Sequence, residues 1–174
     1  MNIEHLNPEN EDVARHLETD PNYRVLRAVP RPYSNAPKGA PPDARCVALI
    51  DLETTGLDPD NDRIMELAIM LVWVGENGEV LNHIAPRVWQ EDPKVEIDPR
   101  ITWITGLANH HLVGRKIADE EVLAMLDRAD LLVAHHAAFE VSWLERRYPK
   151  LKGAAWACSM KDIDWLRAGM DGRA

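Results

Sequence analysis

The sequence predicts an α/β domain on a mixed sheet, in which an antiparallel meander leads into parallel strands joined by helical crossovers. Three observations carry this. The apolar runs between residues 46 and 88 are strand-sized and separated by turn residues, such as Gly75-Glu-Asn-Gly78. Those after residue 119 alternate with stretches of helical spacing, and strands of one sheet joined by a helix run parallel. With 45% hydrophobic and 28% charged residues in a chain of 174, one ordinary core can form, and two good ones cannot.

The elements follow in order. Residues 1–44 read as a proline-rich N-terminal extension, holding seven of the 12 prolines: Pro8, Pro21, Pro30, Pro32, Pro37, Pro41 and Pro42. Within it a short amphipathic helix is predicted over 11–17 and a strand over 23–29. Residues 34–43 read as loop, because proline removes a backbone donor and fixes φ. The domain proper is expected over 45–174. Its first apolar run, 46–52, is predicted to be a central strand buried on both faces. Asp58-Pro-Asp-Asn-Asp62 is a turn. A second strand is predicted over 64–74, and the Gly75–Gly78 turn leads to a third over 79–88. A short helix and turn follow at 97–107. Val122, Leu123 and Leu126 recur at helical spacing and predict a helix over 119–128. A short buried strand at 131–134, a helix over 137–148, a last strand at 155–158 and a helix over 160–166 complete the list.

Composition narrows function. A net charge of −9 argues against long electrostatic wrapping of nucleic acid, which needs many cations on phosphates. It does not exclude an enzyme that holds only a strand end, since cation-binding carboxylates add negative charge until metal offsets them. Cys46 and Cys158 form no CxxC pair, so they read as reduced thiols within strands. No apolar stretch approaches the ~20 residues of a membrane span. Met1-Asn-Ile-Glu-His5 has neither the basic nor the apolar region of a signal peptide, so a cytoplasmic protein with no membrane partner is expected.

Chemistry is concentrated in two places. On a strand, residues i and i+2 share a face, so Asp51 and Glu53 point to one side at the end of an apolar run. Two like charges there call for a counter-charge, and oxygen ligands suit Mg²⁺ or Mn²⁺. Thr54-Thr55-Gly56 follows, with hydroxyl and N–H donors and a glycine that lets a ligand approach the backbone. The plain alternative is a strand end with ordinary surface acids. The second place is His135-His-Ala-Ala-Phe-Glu140. Helical neighbours of Glu140 are His136, Ala137, Trp143 and Leu144, a mostly apolar face. Glu140 is therefore buried and paired, turned to a metal, or at the stripe's edge and snorkelling to water; spacing leaves these open. Arg146, Arg147, Lys150 and Lys152 read as a solvated helix end or, alternatively, a phosphate contact. Trp103 is the candidate for base stacking, while Trp73, Trp143 and Trp156 fit core positions.

Val47-Ala-Leu-Ile-Asp-Leu-Glu-Thr-Thr-Gly-Leu57 resembles the first motif of the DnaQ-like (DEDD) 3′–5′ exonucleases, the family of the proofreading epsilon subunit of bacterial DNA polymerase III. Leu132-Val-Ala-His-His-Ala-Ala-Phe-Glu-Val-Ser-Trp-Leu144 resembles the second motif, AHN-x-x-FD, and Ile101-Thr-Trp-Ile-Thr-Gly-Leu107 the segment between them. The resemblance spans residues 45–167. It implies an RNase H-like fold and two-metal phosphodiester hydrolysis with two Mg²⁺ or Mn²⁺ ions, held by Asp51, Glu53 and Glu140. It further implies that Thr54, Thr55, Gly56 and Leu57 seat the terminal nucleotide. His135 and His136 lie on the substrate side of the second motif, and His135 is also expected to hold that motif in place. The implied partners are a single-stranded DNA or RNA 3′ end, DNA before RNA, and a DNA polymerase.

The sequence departs from the pattern in three ways. His136 replaces the family's Asn, and Glu140 replaces its Asp with one more methylene. The third motif, a His or Tyr base and a fourth acidic ligand, has no match after Trp165. The domain is thus expected to be C-terminally incomplete, without its last helices. Two functions follow: a 3′–5′ exonuclease, or a catalytically incomplete nuclease-like domain that binds a nucleic-acid end or a protein partner.

Overall fold

The computed structural model describes residues 7–25 and 41–170. The chain divides into two compact units, Met1–Arg31 and Pro32–Ala174.

In the first unit, α1 (Pro8–Glu18) forms because its start is fully specified. The Asn7 side chain accepts from the Glu9 and Asn10 N–H groups, and Pro8 occupies the first turn, where its missing donor costs nothing. Acids in the first turn and Arg15 and His16 in the last complement the helix dipole. The helix therefore starts three residues before the apolar pattern predicts. None of its residues is buried. Residues 23–25 of the strand predicted over 23–29 are in no strand, and its remainder lies outside the described residues, as does the 34–40 part of the predicted loop.

The second unit carries a six-stranded mixed sheet, made of β1 (Arg45–Thr54), β2 (Ile64–Val74), β3 (Val80–His83), β4 (Arg87–Gln90), β5 (Leu131–Ala134) and β6 (Trp156–Cys158). The order is β3-β2-β1-β5-β6, with β4 also on β2. β1 and β2 are antiparallel; β1–β5 and β5–β6 are parallel. The single strand predicted over 79–88 is two: β3 pairs with residues 72–74 of β2, and β4 with residues 66–69. Pro86 lies between them, and a proline offers no N–H to a ladder.

Side-chain alternation along β1 decides the core. Cys46, Ala48, Ile50, Leu52 and Thr54 are buried, whereas Leu49 is 40% exposed and Asp51 is exposed. The strand expected to be buried on both faces is buried on one. Its buried side joins Leu67, Ile69, Leu71 and Trp73 of β2 with residues of α4 (Asp119–Leu126) and α5 (Ala137–Arg147), including Val122, Met125, Trp143 and Leu144. An apolar run reports strand formation but not how many layers cover it.

Shorter elements complete the unit. α2 (Pro99–Thr105) is capped by Asp98 and ended by Gly106, whose φ of 74° is the left-handed cap conformation. α3 (Asn109–Leu112) follows, and Met65, Ile97, Leu107 and Leu112 form a smaller core beneath it. The helix predicted over 160–166 is only α6 (Ser159–Asp162). The Asp162 carboxylate accepts the Cys158 N–H at 2.7 Å, and Trp165 Nε1 donates back to the Ser159 carbonyl at 2.7 Å, which folds the chain over after one turn. Cys46 and Cys158 are free, buried thiols in β1 and β6. Among the described residues, no helix is long and apolar enough to cross a membrane.

Candidate active site

β1 carries Asp51 and Glu53 on its open side. In register with β2, Asp51 lies opposite Ala68 and Glu53 opposite Glu66, and pairing shifts immediately after Glu53. β5 runs parallel beside β1, with Leu49 opposite Val133, so the carboxyl ends of the two strands emerge side by side. His135 and His136 follow β5, and α5 starts at Ala137. One turn in, Glu140 is 5% exposed among Ala137, Trp143 and Leu144.

Electrostatics tie the two segments together. Burial raises the Glu53 carboxyl above its usual range, and the charges of Asp51 and Glu66 raise it further. Burial likewise raises Glu140, with Asp51 adding to the effect against a backbone hydrogen bond and His135. Glu140 Oε2 is buried without a hydrogen-bond partner. Among the described residues no Lys or Arg pairs with Asp51, Glu53 or Glu140. Asp51 thus acts on both Glu53 and Glu140, and among the described residues no lysine or arginine offsets the three acids. This suits cation ligands by charge and by the orphaned oxygen, although no three His, Cys, Asp or Glu side chains among the described residues converge tightly enough to hold an ion.

Glu66 escaped sequence reasoning. It is the lone acid in Ile64-Met-Glu-Leu-Ala-Ile-Met-Leu-Val-Trp-Val74, which is a usable signal, but only the β1–β2 register sets it across from Glu53. Gln90 Nε2 donates to it at 2.6 Å, and Arg115 donates to Gln90 Oε1 at 2.6 Å.

After Glu53 the chain enters a hydrogen-bonded loop. Thr54 Oγ1 donates to the Gly56 carbonyl at 2.5 Å, and the Thr55 N–H donates to the Arg63 carbonyl at 2.9 Å. Leu57, on this loop, is 84% exposed. His135 is exposed, with Nδ1 3.0 Å from Ser159 Oγ; its carbonyl accepts from Met160 N–H and Cys158 Sγ, which joins the end of β5 to β6 and α6. The His136 ring lies nearly parallel to Phe139, with centroids 6.3 Å apart.

The basic stretch is engaged within the protein. Arg146 pairs with Asp60, Arg147 with Glu91 and Asp119, and Lys150 with Asp127. These pairs replace the purely solvated helix end, and they compete with any phosphate contact. Trp103 is 86% exposed on α2, Trp73 and Trp143 are in the core, and Trp156 is half-buried.

Residues 48–168 match the RNase T exonuclease family. The DNA polymerase III PolC-type protein of Clostridium perfringens (strain 13 / Type A) is 31% identical over 100 residues, 56% of this chain and 6% of that protein. That of Thermotoga maritima is 31% identical over 117 residues, 66% of this chain and 8% of the relative. The chain thus spans less than a tenth of these relatives' length. Escherichia coli exonuclease I, solved with a dT13 oligonucleotide, superposes with a TM-score of 0.53 at 17% identity, covering 71% of this chain and 29% of that one. That likeness shows the fold, an RNase H-like mixed sheet with flanking helices.

Proposed function

The chain belongs to the RNase T exonuclease family, and from that premise we propose that it releases nucleotides from nucleic-acid 3′ ends, DNA before RNA, by metal-dependent phosphodiester hydrolysis. One observation supports the reading: Glu140, at the start of the helix that follows β5, is buried with one oxygen unpartnered and lies within reach of the Asp51 charge on the adjacent β1, and among the described residues no Lys or Arg pairs with either. Asp51, Glu53 and Glu140 would hold two Mg²⁺ or Mn²⁺ ions. Such ions, when bound, activate water and stabilise a leaving 3′ oxygen.

The remaining work falls to the protein. Thr54, Thr55, Gly56 and Leu57 seat the terminal nucleotide, with Leu57 offering an apolar surface to its base. His135 and His136 flank it from the second motif. The nuclease role belongs to residues 45–174, with 1–44 an appended segment. A single-stranded 3′ end is the substrate. A DNA polymerase is the partner suggested by the name of the PolC-type relatives. Two buried free thiols fit a reducing cytoplasm.

The test is release of mononucleotides from a 5′-labelled single strand in Mn²⁺, compared with Asp51→Asn. A ladder shortened from the 3′ end, lost in the variant, supports the reading; shortening that Asp51→Asn leaves intact overturns it. The open ligand set favours a second reading, a nuclease-like domain that holds a strand end or protein partner without cutting. Strand binding that depends on Asp51, with no shortening, would select it.

A further inference from the structure

The loop that leaves β1 is shaped by a side chain outside both motifs. Asp62 lies seven residues beyond Thr55, at the far end of the turn. Its Oδ1 accepts from Thr55 Oγ1 at 3.2 Å and its Oδ2 from the Asp58 N–H at 3.0 Å. Thr55 Oγ1 in turn accepts the Arg63 N–H at 2.9 Å, so the two ends of the loop are cross-linked through one hydroxyl. The Asp62 carboxylate also packs on Gly56, where an added Cβ would sit 2.6 Å from its Cγ and 2.6 Å from its Oδ1. Asp60, on the same turn, pairs with Arg146 of α5, the helix that carries Glu140. Leu57 lies between the two ends of this closure in the chain and is 84% exposed.

We propose that Asp62 is a positioning residue: through Thr55, Gly56 and Asp58 it presets the loop carrying Leu57, so that the terminal nucleotide meets a formed seat. This rests on the exonuclease reading and deepens it. A loop ordered before binding loses less conformational freedom when substrate arrives, and so binds more tightly for the same contacts. A Cβ at position 56 would have to displace the Asp62 carboxylate, so a substitution there disturbs the same contact.

The experiment measures two affinities on the intact chain: fluorescein-labelled oligothymidylate by anisotropy, and Mn²⁺ by electron paramagnetic resonance. Asp62→Ala is expected to weaken oligonucleotide binding about tenfold, as for residues that orient a binding group from behind, and to leave Mn²⁺ affinity unchanged. Asp62→Asn keeps an acceptor for the Asp58 N–H and an amide that can donate to Thr55 Oγ1, and is expected to restore binding to within about threefold of the unaltered chain. Gly56→Ala should match Asp62→Ala, and the double variant should be no weaker than either, because both remove the same contact. If Asp62→Ala does not fold, Asp62→Ser takes its place, and oligonucleotide affinity that it leaves unchanged overturns the proposal. Oligonucleotide affinity that ignores both positions, while Asp51→Asn still abolishes Mn²⁺ binding, overturns the proposal and leaves the exonuclease reading standing. An unaltered chain that binds neither probe sinks both.

Discussion

Glu140 and Arg147 lie two turns apart on α5, yet they belong to groups of carboxylates that the fold treats in opposite ways. Around Arg147, every acid is answered. Its guanidinium donates to both oxygens of Glu91 at 2.7 and 2.8 Å and to Asp119 at 2.8 Å. Tyr148 adds its hydroxyl to Asp119 at 2.7 Å. Burial works against Glu91 and Asp119, but these bonds overcome it and hold both below the usual carboxylate range. The same bonds push the Arg147 guanidinium above its ordinary value. Around Glu140 no lysine or arginine answers, and a backbone hydrogen bond and His135 offset only part of the rise. Burial and the Asp51 charge raise it, burial and Asp51 raise Glu53, and one Glu140 oxygen has no partner. Buried charge with an internal partner is architecture. Buried charge without one costs stability, and persists where a ligand from outside supplies the counter-charge.

The largest effect should come from breaking the unanswered group. Asp51→Asn removes the acid that couples Glu53 to Glu140, and is expected to reduce Mn²⁺-dependent nucleotide release by at least about 100-fold; timed gels on a labelled strand measure it. Breaking the answered group should cost the fold instead. Arg147→Met strands Glu91 and Asp119, and the expected loss is about 2–4 kcal/mol in urea unfolding, near the value for breaking a buried pair but reduced by partial exposure. A loss under ~1 kcal/mol would reduce that network to surface decoration and dissolve the contrast.

A smaller change sharpens it. Glu140→Gln removes a shielded charge while keeping the shape, so stability at neutral pH should rise by about 1 kcal/mol, the scale of an unsatisfied buried group, while Mn²⁺ affinity falls. Calorimetry with and without Mn²⁺ reads both. Stabilisation by the ion, clear in the unaltered chain, should shrink in the variant.

The pH dependence separates the groups by sign. Glu91 and Asp119 are depressed in the folded state, so their contribution is complete above their ordinary values of 4.5 and 3.8 and is lost as pH falls through the lower folded values. Glu53 and Glu140 are raised. Below 4.5 they are protonated in folded and unfolded chains alike and cost nothing; as pH rises from there through the raised folded values, stability declines. Melting curves across pH should show both limbs. Arg147→Met should flatten the acid limb alone and Glu140→Gln the upper one. If Glu140→Gln leaves the upper limb unchanged, Glu140 is not the residue that sets it.

Local pattern carried much of this in the sequence. The bounds of β2 and β5, the starts of α4 and α5, and the shared face of Asp51 and Glu53 follow from side-chain period, which needs no knowledge of what packs where. Two motifs in order named the fold. Other features depend on residues far apart in the chain. β1 is buried on one face because the α4 and α5 layer covers only that side. Pro86 splits one predicted strand in two because β2 provides a single edge for both halves. Glu66 joins the acids only through the register of β1 on β2, and Arg146 and Arg147 turn from a basic stretch into clamps on Asp60, Glu91 and Asp119. By itself the sequence determined which elements carry the candidate acids Asp51, Glu53 and Glu140. Tertiary structure decided which charges would be neutralised, because a charge's cost depends on the partners and solvent that long-range packing brings to it.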